Sequence, residues 1–333
     1  MKAIIPVAGI GTRLQPLTNK TPKVLINVAG KPMLFHLIDD LVKHPDINTI
    51  ILVIGYLGEQ IVEAINKYYV NTDIKFEFVE QKEMLGLGHA VYHAKDYVRD
   101  EPVLIILGDT IFEFDLDSVL SSEYSVVCVK DVDDIRRFGI VESENGFIIK
   151  MIEKPSGPEV TKSKSAIAGI YFLKDGAKLF KSIEYLMEND IRTKNEYQLT
   201  DALQKMICDG EKMLSSHIRN WFDCGKPETL LNTNAYILKR DFSDVSPGVF
   251  LNSKITSPVF IGKNCIIENS EVGPFVTLGE NITIRNSQVS NSLICDDAVI
   301  ENAELNESAI GNHEFIEGKH EKIIKADGSE VSF

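Results

Sequence analysis

Gly9, Gly11 and Arg13 stand in one short loop after the apolar run Ala3 to Ala8, and Pro22-Lys23 follows soon after. Two glycines let backbone N–H groups crowd a phosphate, while a guanidinium neutralises its charge. A Gly-x-Gly pair by itself reads equally well as two turn glycines after a strand. A dinucleotide fold wants a third glycine where Leu14 stands, and a carboxylate for the ribose further on. A Walker loop wants Gly-Lys-Ser/Thr, a tripeptide the sequence lacks. What remains is a loop with two cations, Arg13 and Lys23, for one polyphosphate, which suits transfer at phosphorus.

Asp109 ends the apolar run Val103 to Leu107, where it reads either as a turn or cap aspartate or as a magnesium ligand. Polyphosphate chemistry favours a hard oxygen ligand, and Mg²⁺ takes few carboxylates at once, so one partner is expected. Asp223, inside Trp221-Phe222-Asp223-Cys224-Gly225, is the best placed. Glu153-Lys154-Pro155 reads as a solvated turn, or as a carboxylate for sugar hydroxyls beside an ammonium for an ester phosphate. Gln81 and the glycines of Leu85-Gly86-Leu87-Gly88 are either a helix entry or an amide and bare backbone that read a pyrimidine edge.

These residues need a scaffold, and the periodicity supplies one. Strand-like and helix-like segments alternate through the first hundred or so residues, predicting a Rossmann-like open mixed α/β sheet, parallel over this stretch with helices on both faces and with candidate residues at the carboxyl ends of its strands. Strands at 125–130, 138–142, 147–152 and 165–173, then helices at 176–187, 197–208 and 227–238, suggest the second wall of a cleft. Further on the sequence repeats: the twelve-residue blocks starting at Ile261, Leu278 and Ile294 align, and Ile310-Gly311 begins another. Aliphatic residues return every five or six positions, the pattern of a hexapeptide β-helix. The expected organisation is a catalytic domain over 1–240, a short left-handed parallel β-helix over 245–312, and a polar, poorly ordered tail over 313–333.

Across 333 residues, 35 basic against 49 acidic side chains give a net charge of −14, which repels nucleic acid and membrane phosphate. Bound phosphate must then be met by a few placed cations. The five cysteines are scattered singly, as free thiols of a reducing cytosol would be. Met1 leads straight into the first strand, and no apolar run is long enough to span a bilayer, so a cytoplasmic protein is expected.

The accumulated motifs resemble the sugar-1-phosphate nucleotidyltransferases over nearly the whole chain. GIGTRLQPLT and PKVLINVAGKPML are similar to that family's phosphate loop and following segment, and LGDTIF, FGIVE, IEKP, AGIYFL, NEYQLTDAL and WFDCGKPETL follow in its order. The resemblance implies that Gly9, Gly11, Thr12 and Arg13 cradle a triphosphate, that Lys23 holds the phosphates near the reaction centre, and that Asp109 and Asp223 bind Mg²⁺. It gives the base to Gln81 and Gly86, the sugar to Gly139, Glu153 and Gly169, and the sugar phosphate to Lys154, with Lys194 where some members carry arginine. Val24 stands where short thymidylyltransferases have glutamine.

The segment Leu85 to Ala90 looks like UDP-glucose pyrophosphorylases, and Leu107 to Phe112 like glucose-1-phosphate thymidylyltransferases. Both point to dTTP or UTP with glucose 1-phosphate. Mannose-1-phosphate guanylyltransferases, which share the loop and often the tail, are the alternative. From a different class come a hexapeptide acyltransferase and a non-catalytic sugar-nucleotide-binding subunit. Against the first, the repeats hold no histidine to act as base, His313 and His320 lying beyond them. The flat faces of a β-helix imply a homo-oligomer.

Overall fold

The apolar runs between Lys2 and His217 become the strands of one mixed sheet. In the computed structural model, which describes residues 1–241 and 244–333, its spatial order is Lys75–Glu80, Thr49–Ile54, Lys2–Pro6, Val103–Ile106, Ser165–Leu173, Ser125–Asp131, Met213–His217, Phe147–Glu153 and Gly139–Glu144. The first four run parallel, with Ile4 opposite both Ile51 and Ile105. Ser165–Leu173 then reverses the direction against Val103–Ile106. Continuous β-branched runs suit such central strands, which are covered on both faces. Ile4, Ile51, Ile105 and Val127 pack in one core with Leu179 and Phe180 of the helix Gly176–Glu188 and with Leu199 and Leu203 of the helix Leu199–Cys208.

From Asp244 onward the chain is a stack of coils. One ladder joins Asp244–Val245, Val259–Ile261, Val276–Leu278, Leu293–Ile294, Ala309–Ile310 and Ile323–Ala326, and another climbs from Val249–Leu251 through Ile266–Glu268, Thr283–Arg285 and Val299–Asn306. All these pairings are parallel, as the expected left-handed β-helix requires. The repeated asparagines explain the register. Asn252, Asn269, Asn286 and Asn302 all take positive φ, between 48° and 50°, at one corner. The first three each hand a side-chain N–H to the next one, 17 or 16 residues along. Asparagine tolerates that left-handed backbone better than other side chains carrying a Cβ. Inside, Ile261, Leu278, Ile284 and Ile300 are fully buried.

Two expectations need correction. Residues 313–333 are not a loose tail: Phe315–Glu321 pairs in parallel with Val299–Asn306, and Ile323–Ala326 and Ser329–Ser332 close the stack as an antiparallel hairpin. The burial of Ile316, Ile323 and Ile324 accounts for this order. His313 and His320 therefore belong to a further coil, where His320 Nε2 lies 2.9 Å from the Glu317 carbonyl. The compact units of the chain also do not follow a single cut near residue 240. Its compact units interleave in sequence: Met1–Gly9, Leu37–Gly108 and Phe112–Trp221 form one, Ile10–His36, Asp109–Ile111 and Phe222–Phe333 the other. The reason lies in the second unit's core, where Leu14, Leu17 and Ile26 pack with Cys224, Leu230, Leu293 and Ile324. Among the described residues, no helix is long and apolar enough to cross a membrane.

Candidate active site

In the second unit the loop after Ile10 folds into one 3₁₀ turn, Thr12–Leu14, entered through Gly11 at φ 74°. The Gly11 carbonyl accepts from the Leu14 N–H and from the Thr18 hydroxyl, each at 3.0 Å. A Cβ on Gly11 would sit 2.9 Å from the Lys23 Cβ, so both the backbone angle and the close approach of Lys23 require glycine. Buried Leu14 and Leu17 anchor the turn, leaving Thr12 and Arg13 exposed.

Lys23 is almost completely buried, and its Nζ donates to Asp109 Oδ2 at 2.7 Å, across 86 positions of sequence. The protein packed around Asp109 disfavours its charge, but attraction and hydrogen bonding from Lys23 outweigh this and hold the carboxyl below the ordinary carboxylate value. Thr110 Oγ1 also donates, at 3.3 Å, to Asp109 Oδ1. Asp223 Oδ1 accepts the Gly225 N–H at 2.8 Å. A Cβ on Gly225 would lie 2.6 Å from Arg13 Nη2 and 2.7 Å from Asp223 Oδ1, so this glycine lets the guanidinium approach the second aspartate. Burial pushes the thiol of Cys224 up to about 12, and its surroundings include the charges of Lys23, Asp109 and Asp223. Arg13, Lys23, Asp109 and Asp223 thus belong to one neighbourhood.

Two carboxylates fit a magnesium ion, which takes one or two of them and keeps water or phosphate oxygens for the rest. Among the described residues, no cluster of three or more His, Cys, Asp or Glu that could hold a metal is found.

The first unit holds the other candidates. Gly9 is exposed, and a Cβ there would meet nothing within 4 Å, so the chain itself does not demand glycine. Gln81 is buried, and its amide nitrogen lies 3.3 Å from the Gly86 carbonyl and 3.1 Å from His89 Nδ1. Gly86, at φ 110°, has no room for a side chain: a Cβ would reach the Tyr197 carbonyl at 2.7 Å. The loop is tied to the segment before the helix Leu199–Cys208 by Gly88 N–H to Tyr197 O and Tyr197 N–H to Leu85 O, both 2.8 Å.

Glu153 ends its strand with one oxygen accepting from the Thr200 hydroxyl at 2.7 Å and the other 3.2 Å from Lys154 Nζ. Gly139 pairs with Glu153 in the sheet, and a Cβ on it would lie 2.8 Å from Thr200 Oγ1. Lys154 and Lys194 both hold positive φ, 44° and 54°, a strained setting for lysine. They line one concavity of about 400 Å³ with Arg136, Pro155, Ser156 and Glu196. Arg136 escapes the sequence reading because Arg136-Arg137 looks like any exposed basic pair. Gly169 has a structural task besides: at φ 97° it sits in a break of strand register, and its carbonyl accepts the Leu107 N–H at 3.0 Å. Asp201 carries a buried carboxylate oxygen with no partner among the described residues, and burial raises its pKa.

Comparison with known proteins places the chain in a family. The profile described as Nucleotidyl transferase matches residues 2–240. The protein named Bifunctional protein GlmU of Methanocaldococcus jannaschii is 39% identical over 269 residues, 80% of this chain and 61% of that protein. The one from Methanococcus maripaludis is 37% identical over 268 residues, again 80% and 61% of the two chains. The chain therefore spans only about three-fifths of these relatives' length. A glucose-1-phosphate thymidylyltransferase of Streptomyces griseus is 28% identical over 338 residues, covering 94% of this chain and 92% of its own. Among solved structures, a UDP-glucose pyrophosphorylase complexed with UDP-glucose superposes with a TM-score of 0.60 at 25% identity, over 72% of this chain and 98% of the other. By its sequence, its sheet and the match over residues 2–240, the chain belongs to the nucleotidyl transferase family.

Proposed function

We propose that this protein joins a nucleoside triphosphate to a sugar 1-phosphate, giving a nucleoside diphosphate sugar and pyrophosphate, with dTTP or UTP and glucose 1-phosphate as its substrates. The observation that carries the reading is the meeting of Lys23 with Asp109 beside the Gly11 turn, because it sets a buried cation against a carboxylate suited to a divalent metal, next to a glycine turn suited to phosphate.

In this reaction an oxygen of the sugar phosphate attacks the α-phosphorus, the bond to the β-phosphate oxygen breaks, and pyrophosphate leaves with the electron pair. Backbone N–H groups near Gly11, Thr12 and Arg13 hold the departing phosphates, and Arg13 and Lys23 neutralise the charge that builds on them. Asp109 and Asp223 would hold Mg²⁺, which supplies Lewis-acid charge to the phosphate oxygens. Lys154, Lys194 and Arg136 offer three cations to the sugar phosphate, and Glu153 accepts sugar hydroxyls. No protein nucleophile is needed, since positioning and charge do the work.

The test is pyrophosphate release with dTTP, UTP, GTP, CTP and ATP, each against the 1-phosphates of glucose, galactose, mannose and N-acetylglucosamine. Turnover with dTTP or UTP and glucose 1-phosphate is expected. Turnover confined to GTP and mannose 1-phosphate would transfer the protein to the guanylyltransferases, and no release with any pair would overturn the reading. The stacked coils are assigned to self-association, for which a monomeric mass by sedimentation would be decisive against.

A further inference from the structure

Among the described residues, His89 is the one imidazole that touches a candidate base-contacting side chain through a hydrogen bond, and that contact fixes more than position. The Gly86 carbonyl is an acceptor only, so the Gln81 atom 3.3 Å from it must be the amide nitrogen. Turning the amide over would set oxygen against oxygen. The same nitrogen is 3.1 Å from His89 Nδ1, and its two hydrogens are thereby spent, one on Gly86 and one on the imidazole. Nδ1 must then be the unprotonated acceptor of a neutral ring whose hydrogen sits on Nε2. Gln81 Oε1 accepts no hydrogen bond among the described residues. What the amide presents to a ligand is an acceptor and nothing else.

We infer that His89 sets the polarity of the Gln81 amide, so that the base site takes a ring N–H, as in uracil or thymine, and rejects cytosine, whose corresponding nitrogen is itself an acceptor. The inference rests on the assignment of Gln81 and Gly86 to the base. It gives His89 the role of a positioning residue that decides specificity without meeting the substrate. The setting keeps the ring neutral: Gln81 and His89 are 4% and 8% exposed, and the His93 ring packs edge-on at 4.7 Å. Burial is the main force lowering the His89 pKa and His93 adds to it, against the charge and backbone of Glu83.

Two measurements on the 333-residue protein test this. Imidazole ¹⁵N NMR is expected to show His89 as the Nε2–H tautomer, and a ring protonated on Nδ1 at pH 7.5 would overturn the inference whatever the protein's activity. Equilibrium binding and pyrophosphate release are then compared for UTP and CTP. His89→Leu, which removes the acceptor, is expected to cut the preference for UTP about tenfold through KM and Kd, the worth of one oriented hydrogen bond. His89→Asn, whose side-chain oxygen can replace Nδ1, is expected to restore it. An unchanged preference in His89→Leu, or a wild type that binds CTP as well as UTP, refutes the idea. If UTP binds in preference but no pyrophosphate is released, the inference stands and the proposed reaction falls.

Discussion

The Thr200 hydroxyl donates to Glu153 Oε2 at 2.7 Å, and the bare α-carbon of Gly139 lies against both of them. A methyl group at Gly139 would come within 2.8 Å of the hydroxyl and 3.0 Å of the carboxylate, so one of them has to move. Gly139→Ala is expected to raise KM for the sugar 1-phosphate about tenfold or more, from a misplaced carboxylate, while KM for the nucleotide holds. Steady-state kinetics with each substrate varied in turn decide it. Equal loss for both substrates would mean that the sheet, and not the sugar contact, had been damaged.

Arg13→Ala and Asp109→Asn each remove charge from the proposed leaving-group site. Turnover is expected to fall by roughly 100-fold or more in each, the scale of losing one transition-state electrostatic contact. Single-turnover pyrophosphate release measures it. Full activity in Asp109→Asn would remove the metal assignment.

Cysteine reactivity should follow burial. Cys208 is exposed, whereas Cys224 is fully buried with its thiol pushed up to about 12. Iodoacetamide at pH 8 is expected to label Cys208 and to spare both Cys224 and the activity, as read by peptide mass spectrometry beside an assay. Labelling of Cys224 in the native protein would contradict the packing described for the second unit.

His36 makes stability depend on pH. Burial is the main cause lowering its pKa from 6.5 to about 4, and its Nε2 hydrogen bonds the Val28 carbonyl at 2.8 Å. The unfolded chain therefore takes up a proton on this ring at a higher pH than the native one does. The associated stability is intact above about pH 6.5 and is lost progressively as pH falls toward about 4, up to about 3 kcal/mol in all. His36→Gln, with a donor for Val28 but no titration, is expected to flatten this part of the profile. Urea midpoints between pH 7 and pH 4.5, compared for the two proteins, give the difference.

The sequence is most legible where structure is local or repeated. Lys75–Glu80 and Ser165–Leu173 form strands at the expected boundaries because alternation and β-branching act within one segment. The coils are legible because Asn269, Asn286 and Asn302 mark corners in fixed register. What stays hidden depends on distant partners. Nothing local in Ile10 to His36 says that Leu14 and Leu17 pack with Leu293 and Ile324. The last coil is masked by exposed polar positions around Ile316 and Ile323, and by a hairpin where the parallel repeat stops. In the candidate site, Lys23 and Asp109 are readable as types before their contact is known. Arg136 and His89 gain meaning only from the groups they meet, the lysines of one concavity and the Gln81 amide.

The shared core of Leu14, Leu17, Leu293 and Ile324 also sets a timetable. A ribosome releases the turn that holds Leu14 about 280 to 310 residues before its hydrophobic partners Leu293 and Ile324. At about 5–20 residues per second the turn waits roughly 15 to 60 seconds for them. Until those partners emerge the nascent turn lacks the core that fixes it, so on the reading proposed above a stop codon before Leu293 would be expressed as loss of nucleotide binding at a loop far upstream of it.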